Sequence, residues 1–81
     1  MFLIVHTANA FFQSSDRGRD YDSLDAARKA GIAAASDIAR GELDSGKDTA
    51  AVEVTLKDRD GAVVARFVVS SSVADLVKGA A

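Results

Sequence analysis

Residues 52–69 read VEVTLKDRDGAVVARFVV, with an alternating segment before and a mainly apolar segment after a charged tetrapeptide. In the first segment apolar and polar residues alternate, which is typical of a strand with one buried and one solvent-facing side. The tetrapeptide Asp58–Gly61 predicts a tight turn, because glycine accepts the positive φ that such turns need. We therefore expect a β-hairpin whose second strand runs from Ala62 to Val69.

The return strand of this hairpin is apolar on both sides, and Arg66 is its one charged residue. Such a strand is typical of the middle of a sheet, or of a position where the sheet meets a partner. Ser70–Ser72 ends the strand, and Ser72–Asp75 resembles a helix-capping box. The chain thus allows a short C-terminal helix through Val77.

The segment from Leu24 to Leu43 predicts a long helix, because it is rich in Ala and has only two β-branched residues. Asp22 or Ser23 is expected to cap its start, and Gly46 to end it in a left-handed conformation. At about 100° per residue one side forms a stripe of small and apolar residues, namely Leu24, Ala27, Gly31, Ala34, Ala35 and Ile38. A close crossing over the strands explains a glycine in mid-helix. The other side is charged, with spacings for the surface ion pairs Asp25–Lys29 and Asp37–Arg40.

The N-terminal residues predict a shorter hairpin. Met1 to Thr7 carry the β-branched and aromatic types expected of a strand. Ala8-Asn9-Ala10 offers a turn, since Asn tolerates a positive φ, and Phe11 to Ser14 can return as a second strand. Residues 15–22 are charged and rich in turn formers, so we expect a loop there.

Together these elements predict an α+β fold, with an antiparallel four-stranded sheet in β-β-α-β-β order and the long helix on one face. The 81 residues have room for a single domain, residues 1–81. A domain of this size buries only about 60–65% of the surface that its unfolded chain exposes. The chain has no cysteine to cross-link that small core, so self-association is an expected source of further stability.

The composition of the chain argues against two classes of partner, nucleic acids and membranes. A net charge of −2 with interspersed signs gives no positive field for a phosphate backbone, so we do not expect a nucleic-acid partner. No apolar run approaches the roughly 18–20 residues that span a bilayer, so we expect no membrane partner. Ala8-Asn9-Ala10 imitates a signal-cleavage site, but no basic residue precedes the short apolar stretch that His6 interrupts. The expected compartment is the cytoplasm.

Two motifs suggest ligand chemistry, and each has a simpler structural interpretation. Gly41–Asp48 comes one residue short of the phosphate-binding loop pattern, but a carboxylate stands at its last position and it follows a helix instead of preceding one. Asp58–Gly61 resembles part of a calcium loop, whose other ligand positions fall on Leu56 and Phe67. We read the first as a helix end and the second as a turn.

His6 is the one histidine, and an acid/base role would require Asp20, Asp22 or Ser15 to converge on it. No combination of nucleophile, base and orienting residue emerges elsewhere in the sequence. We therefore expect a protein that is not an enzyme, with no catalytic residues, no metal site and no cofactor.

The strands carry more apolar residues than one helix can cover. Alternate residues point to opposite sides of a sheet, so half of the apolar strand residues face away from the helix. The predicted interface on that side consists of Phe2, Ile4, Val64, Arg66 and Val68. We expect the C-terminal helix, a second copy of the chain in a homodimer, or a small protein partner to cover it.

A second, weaker set of candidate binding residues combines aromatic and basic side chains around the first loop. Its members are Phe11, Phe12, Arg17, Arg19 and Tyr21. Stacking and charge could together bind a nucleic-acid strand or a small ligand. Three aspartates, Asp16, Asp20 and Asp22, alternate with the arginines and cancel their field, so a solvated loop is the preferred interpretation.

Several short patterns carry a family resemblance over most of the chain. They are Ile4-Val5-His6, Leu24-Asp25-Ala26-Ala27 with Ala30, and Val52–Val69 around Asp58-Arg59-Asp60-Gly61. In these patterns the chain resembles a group of short bacterial domains of unknown function. The resemblance implies a strand-strand-helix-hairpin order and supplies no catalytic residues. Asp16-Arg17-Gly18 stands where many members carry a D-x-E-G loop.

Ser23-Leu24-Asp25-Ala26-Ala27 carries a looser resemblance. It is similar to the S-x-x-E-A helix of antitoxins that bind a small toxin ribonuclease. The chain differs from them in the number of strands before the helix and in lacking their Gly-rich turn. Antitoxin-like partner binding is therefore an alternative function.

Overall fold

The computed structural model describes residues 1–76 and has one long helix packed on an antiparallel sheet. The elements are β1 (Phe2–Ala8), β2 (Gln13–Ser15), β3 (Arg19–Asp20), α1 (Leu24–Asp44), β4 (Thr49–Lys57) and β5 (Val63–Ser72). The strand order is β2-β1-β4-β5, and β3 pairs with β1 on the same side as β2. The predicted α+β class and β-β-α-β-β order are confirmed, with β3 as a short additional strand.

Helix α1 begins and ends where its capping residues predict. The Ser23 hydroxyl accepts a hydrogen bond from the Ala26 N–H at 3.1 Å, as an N-cap does. Beyond the helix Gly46 has a φ of +103°, the predicted left-handed residue. The two predicted surface ion pairs are present, Asp25–Lys29 at 3.3 Å and Asp37–Arg40 at 3.4 Å.

The buried side of α1 is narrower than the predicted stripe. Its fully buried residues follow a spacing of four, Ala27, Gly31, Ala35 and Ala39. Ala34 lies beside this row and is exposed. Leu24 is also exposed, because side chains tilt toward the helix N-terminus and the first one extends past the helix end. Large side chains of the core come from the sheet, chiefly Leu3, Val52, Val54 and Leu56.

Gly31 marks the closest approach of the helix to the sheet. A Cβ atom built on it would lie 2.8 Å from Val54 Cγ1 and 3.4 Å from the Phe67 ring. Val54 is fully buried in β4, and its β-branched side chain has little freedom to move aside. Only a residue without a side chain therefore fits at position 31.

The strand ends differ from the sequence prediction in three places. β2 begins at Gln13, because Asn9 Oδ1 accepts hydrogen bonds from the N–H groups of Phe11 and Phe12 and keeps both in the turn. Arg19 and Asp20, expected in a loop, form β3. β5 continues through Ser72, and residues 73–76 carry no helix; the predicted end of the C-terminal helix at Val77 lies outside the described residues.

Within residues 1–76, no helix has the length and apolar character needed to cross a membrane.

We predict that Gly31→Ala destabilises the protein although Ala is the better helix former. Alanine should favour the helix by about 1 kcal/mol, whereas the overlap with Val54 should cost about 1–3 kcal/mol. The net effect is a lower free energy of unfolding, measured by urea denaturation.

Gly41→Ala is the matched control in the same helix, because a Cβ at position 41 meets no atom within 4 Å. We expect this variant to be as stable as the parent or up to about 1 kcal/mol more stable. Equal stabilisation by both substitutions would contradict the close contact at Gly31.

Candidate interaction surface

The side of the sheet away from α1 is here called the open face. The strand register shows which residues belong to this face, because residues directly opposite one another on neighbouring strands point to the same side. Val5, Leu56 and Ala65 form a row on the helix side, and the next row, His6–Thr55–Arg66, lies on the open face. By alternation along the strands the open face carries all five predicted interface residues, Phe2, Ile4, Val64, Arg66 and Val68.

The β1 part of the open face is covered by the chain itself. A Cβ on Gly18 would lie 2.5 Å from the Phe2 ring and 2.9 Å from Ile4 Cγ1, so the backbone of the first loop rests on both side chains. The Arg59 guanidinium lies over the Phe2 ring, 4.2 Å from its centroid. Phe2 and Ile4 are consequently half-buried.

Asp16 holds this loop against the edge of the sheet. Its Oδ1 accepts hydrogen bonds from the N–H groups of Val5 at 3.0 Å and Gly18 at 2.9 Å. Its own N–H donates to the Val5 carbonyl oxygen at 3.0 Å. Asp16 therefore satisfies the polar groups of β1 in the gap between β2 and β3.

On the open face, the apolar side chains that stay exposed lie on β5. We call Val63, Val64 and Val68 the β5 patch, where the register shift at Leu56/Lys57 brings Val63 opposite Lys57 on the open face. Their exposed fractions are 51%, 42% and 61%. Val73, directly after the strand, is 54% exposed. Several exposed apolar side chains grouped on one strand are a feature of interaction sites.

Arg66 lies inside the β5 patch with its charge compensated. Its Nε is 3.3 Å from Glu53 Oε1 and donates to Thr55 Oγ1 at 3.3 Å. Thr55 is only 2% exposed although it faces away from the helix. The neighbouring part of the open face is a shallow hollow lined by Ala8, Ala51, Glu53 and Val68, among others.

The weaker candidate set is divided between the two ends of β1. Phe11 and Phe12 are exposed at the tip of the β1–β2 hairpin, beyond Ala8, and Lys47 Nζ lies 3.5 Å from the Phe11 ring centroid. Arg17, Arg19 and Tyr21 lie at the Phe2 end, about 20 Å away along a seven-residue strand. The structure does not bring the two groups together.

Arg19 interacts with its own neighbour in this loop. Its Nε donates to the Tyr21 hydroxyl at 3.1 Å, and its guanidinium lies 5.3 Å from the centre of the Tyr21 ring. The hydrogen bond to Tyr21 raises the pKa of Arg19 above its ordinary value. The side chain therefore remains a fixed positive charge.

His6 lies opposite Ser15 on β2, one of the residues that an acid/base role would require. The Ser15 hydroxyl donates to the Asp16 carbonyl oxygen at 3.5 Å and not to the imidazole. Asp20 lies opposite Phe2, four residues along β1 from His6. Within residues 1–76 no group of three acidic or imidazole side chains is placed to hold a metal ion.

Sequence reasoning missed the residues that close the β1 part of the open face, Asp16, Gly18 and Arg59. The available signal was the Asp-x-Gly spacing of Asp16 and Gly18, since an aspartate often accepts a hydrogen bond from the N–H two residues on. The position of Arg59 over Phe2 had no local signal, because their contact depends on the folded sheet.

We predict that Gly18→Ala destabilises the fold more than Gly61→Ala does. Both glycines have a positive φ, +84° and +86°, so both substitutions should incur a backbone cost of about 1–2 kcal/mol. Only at Gly18 does the new Cβ overlap Phe2 and Ile4, which should add about 1–3 kcal/mol. Chemical denaturation of both variants measures the difference, and equal losses would contradict the loop contact.

A model of a protein family, described as a domain of unknown function (DUF6894), matches residues 2–70. The match begins with β1 and ends two residues before the end of β5, so it spans every element described above. No match was found among curated proteins or among solved structures.

Proposed function

We propose that this chain, which belongs to the DUF6894 family of unknown function, is a non-enzymatic interaction module that self-associates through the β5 patch. The observation that carries this proposal is the unequal cover of the open face. Its β1 part is closed by Gly18 and Arg59, whereas the β5 patch faces solvent. Removing exposed valine side chains from water is favourable by about 25 cal/mol per Å² of apolar surface.

The charge around the β5 patch favours a second copy of the chain as the partner. Arg66 is the one charged residue of β5, and Glu53 of the neighbouring strand compensates it at 3.3 Å. A strongly acidic or basic partner would find no unmatched charge there, whereas two copies would meet without repulsion. Symmetric pairing of one surface with itself is also the commonest form of protein self-association.

The make-up of the core supports the same proposal. The helix contributes only alanine and glycine to its fully buried row, and the chain has no cysteine. Small cores without cross-links are commonly stabilised by oligomerisation.

A non-enzymatic function agrees with the contacts of the polar side chains near the open face. Asp16 binds backbone N–H groups of the loop and of β1, and Glu53 binds Arg66. These contacts are structural, and none of them pairs a nucleophile with a base in the manner of an active site.

The two alternative functions have less support. A ligand or nucleic-acid site would need Phe11 and Phe12 to act with Arg17, Arg19 and Tyr21, and these groups lie at opposite ends of β1. Antitoxin-like partner binding stays a prediction from the sequence of the helix start.

We predict that the chain forms a dimer at micromolar concentrations and that Val68→Lys shifts it to the monomer. Lysine at this position places a charge within the β5 patch, where burial against a second copy would desolvate it. Size-exclusion chromatography with light scattering should give twice the 8.4 kDa of one chain for the parent and 8.4 kDa for the variant.

Ala33→Lys is the control, because it makes the same change of charge at an exposed position of α1. We expect it to remain dimeric, and both variants should keep the parent's circular dichroism spectrum. A parent that is monomeric throughout this concentration range would refute the proposal, as would equal dissociation of both variants.

A further inference from the structure

The two outer edges of the sheet are built differently. On the β1 side the edge is interrupted: β2 has three residues, β3 has two, and the Asp16 side chain fills the gap between them. Short and interrupted edge strands are a common way to prevent unwanted pairing with another sheet.

The β5 edge lacks such protection. β5 is ten residues long, contains no proline or lysine, and has no strand on its outer side within residues 1–76. The one irregularity is the register shift at Leu56/Lys57, near the hairpin turn, so the strand is regular from Ala65 to Ser72. A long regular edge of this kind is a template for pairing with another strand.

The direction of the free backbone groups follows from one hydrogen bond. The Val73 N–H donates to the Asp48 carbonyl oxygen at 2.8 Å, just beyond the pair Thr49–Ser72. Backbone groups of an antiparallel strand alternate in direction from residue to residue. Odd-numbered residues of β5 therefore bond to β4, and Arg66, Val68 and Ser70 direct their N–H and C=O groups outward.

From this we infer that β5 pairs antiparallel with β5 of a second copy, about a two-fold axis at Val68, so that the two sheets become one. The inference rests on the proposed self-association and places its contact at the edge of β5. Val68 of the β5 patch then meets its copy across the axis, while Val63 and Val64 stay on the open surface of the joined sheet. In this arrangement both helices lie on the same side of the joined sheet. Even-numbered residues of one β5 lie opposite even-numbered residues of the other, and odd-numbered residues lie opposite odd-numbered ones.

The polarity of β5 selects the position of the axis. With the axis at Val68, the two valines face each other, Arg66 faces Ser70, and Phe67 faces Val69. These central pairs match apolar with apolar and polar with polar, whereas toward the ends Ala65 faces Ser71 and Val64 faces Ser72.

The neighbouring registers fit the centre of the strand less well. An axis at Val69 places Val68 opposite Ser70 and Phe67 opposite Ser71. An axis at Phe67 places each Arg66 opposite Val68 of the other copy. An axis at Arg66 places two guanidinium groups directly opposite one another, which is destabilising.

Cysteine cross-linking tests this geometry cleanly, because the chain contains no cysteine. At the axis, Val68→Cys brings two Cβ atoms to about 4.5–5.5 Å, close enough for a disulfide with slight adjustment. Under mild oxidation we expect rapid formation of a covalent dimer.

Ser70→Cys is the matched control, on the same strand, the same face and also exposed. In the inferred register its two copies lie about 13 Å apart, four residues along the strand, and should not cross-link. Cross-linking at Ser70 as fast as at Val68, or at neither, would overturn the inferred register.

A measurement on the unaltered protein tests the edge pairing without substitutions. Amide hydrogen exchange should show slow exchange of the N–H groups of Arg66, Val68 and Ser70 in concentrated samples, and faster exchange on dilution. Fast exchange of all three in a light-scattering dimer would refute edge pairing while leaving the proposed self-association intact. A monomer by light scattering would refute both.

Discussion

The contact of Gly31 with Val54 is the constraint on which the rest of the structure depends. Because the helix backbone lies directly on β4 there, the helix can contribute only small side chains to the core, and the strands supply the large ones. One helix covers one face of the sheet in this way and leaves the other face to be covered by something else. The close crossing therefore accounts for the alanine-rich helix, and the presence of one helix within residues 1–76 accounts for the open face.

The first loop then makes the two halves of that open face unequal. Asp16 fixes the loop to β1 through two hydrogen bonds with Val5 and accepts a third from Gly18 within the loop. Gly18 allows the loop backbone to lie on Phe2 and Ile4. The apolar residues of β1 are thus covered within the chain, whereas those of β5 remain in contact with solvent. The interface predicted from the sequence extended over the whole open face. Because its β1 residues are covered, only its β5 residues remain available to a partner.

The second hairpin and the helix could be predicted from the sequence, because each has a short repeating pattern of residues. The alternation in residues 52–56 and the alanine-rich segment from Leu24 located the second hairpin and the helix, because strand and helix periods are local geometry. Alternation also placed Phe2, Ile4, Val64 and Val68 on one face. It could not show which of them are covered, since the cover comes from Gly18 and Arg59, which are distant in sequence from most of what they affect. The strand β3 was missed for the same reason: two polar residues form a strand only because β1 provides a partner.

The interrupted β1 edge has a consequence for the size of any assembly. A chain with two adhesive sheet edges could add copies indefinitely and grow into a fibre, as stacked β-structures do. Here three-residue and two-residue strands flanking an aspartate terminate one side. Within residues 1–76 β5 is the only long free edge, so the proposed pairing of two copies through β5 would leave an interrupted β1 edge on each side of the joined sheet. The proposed assembly would therefore end at two copies, because neither outer edge of the joined sheet offers a long strand for further pairing.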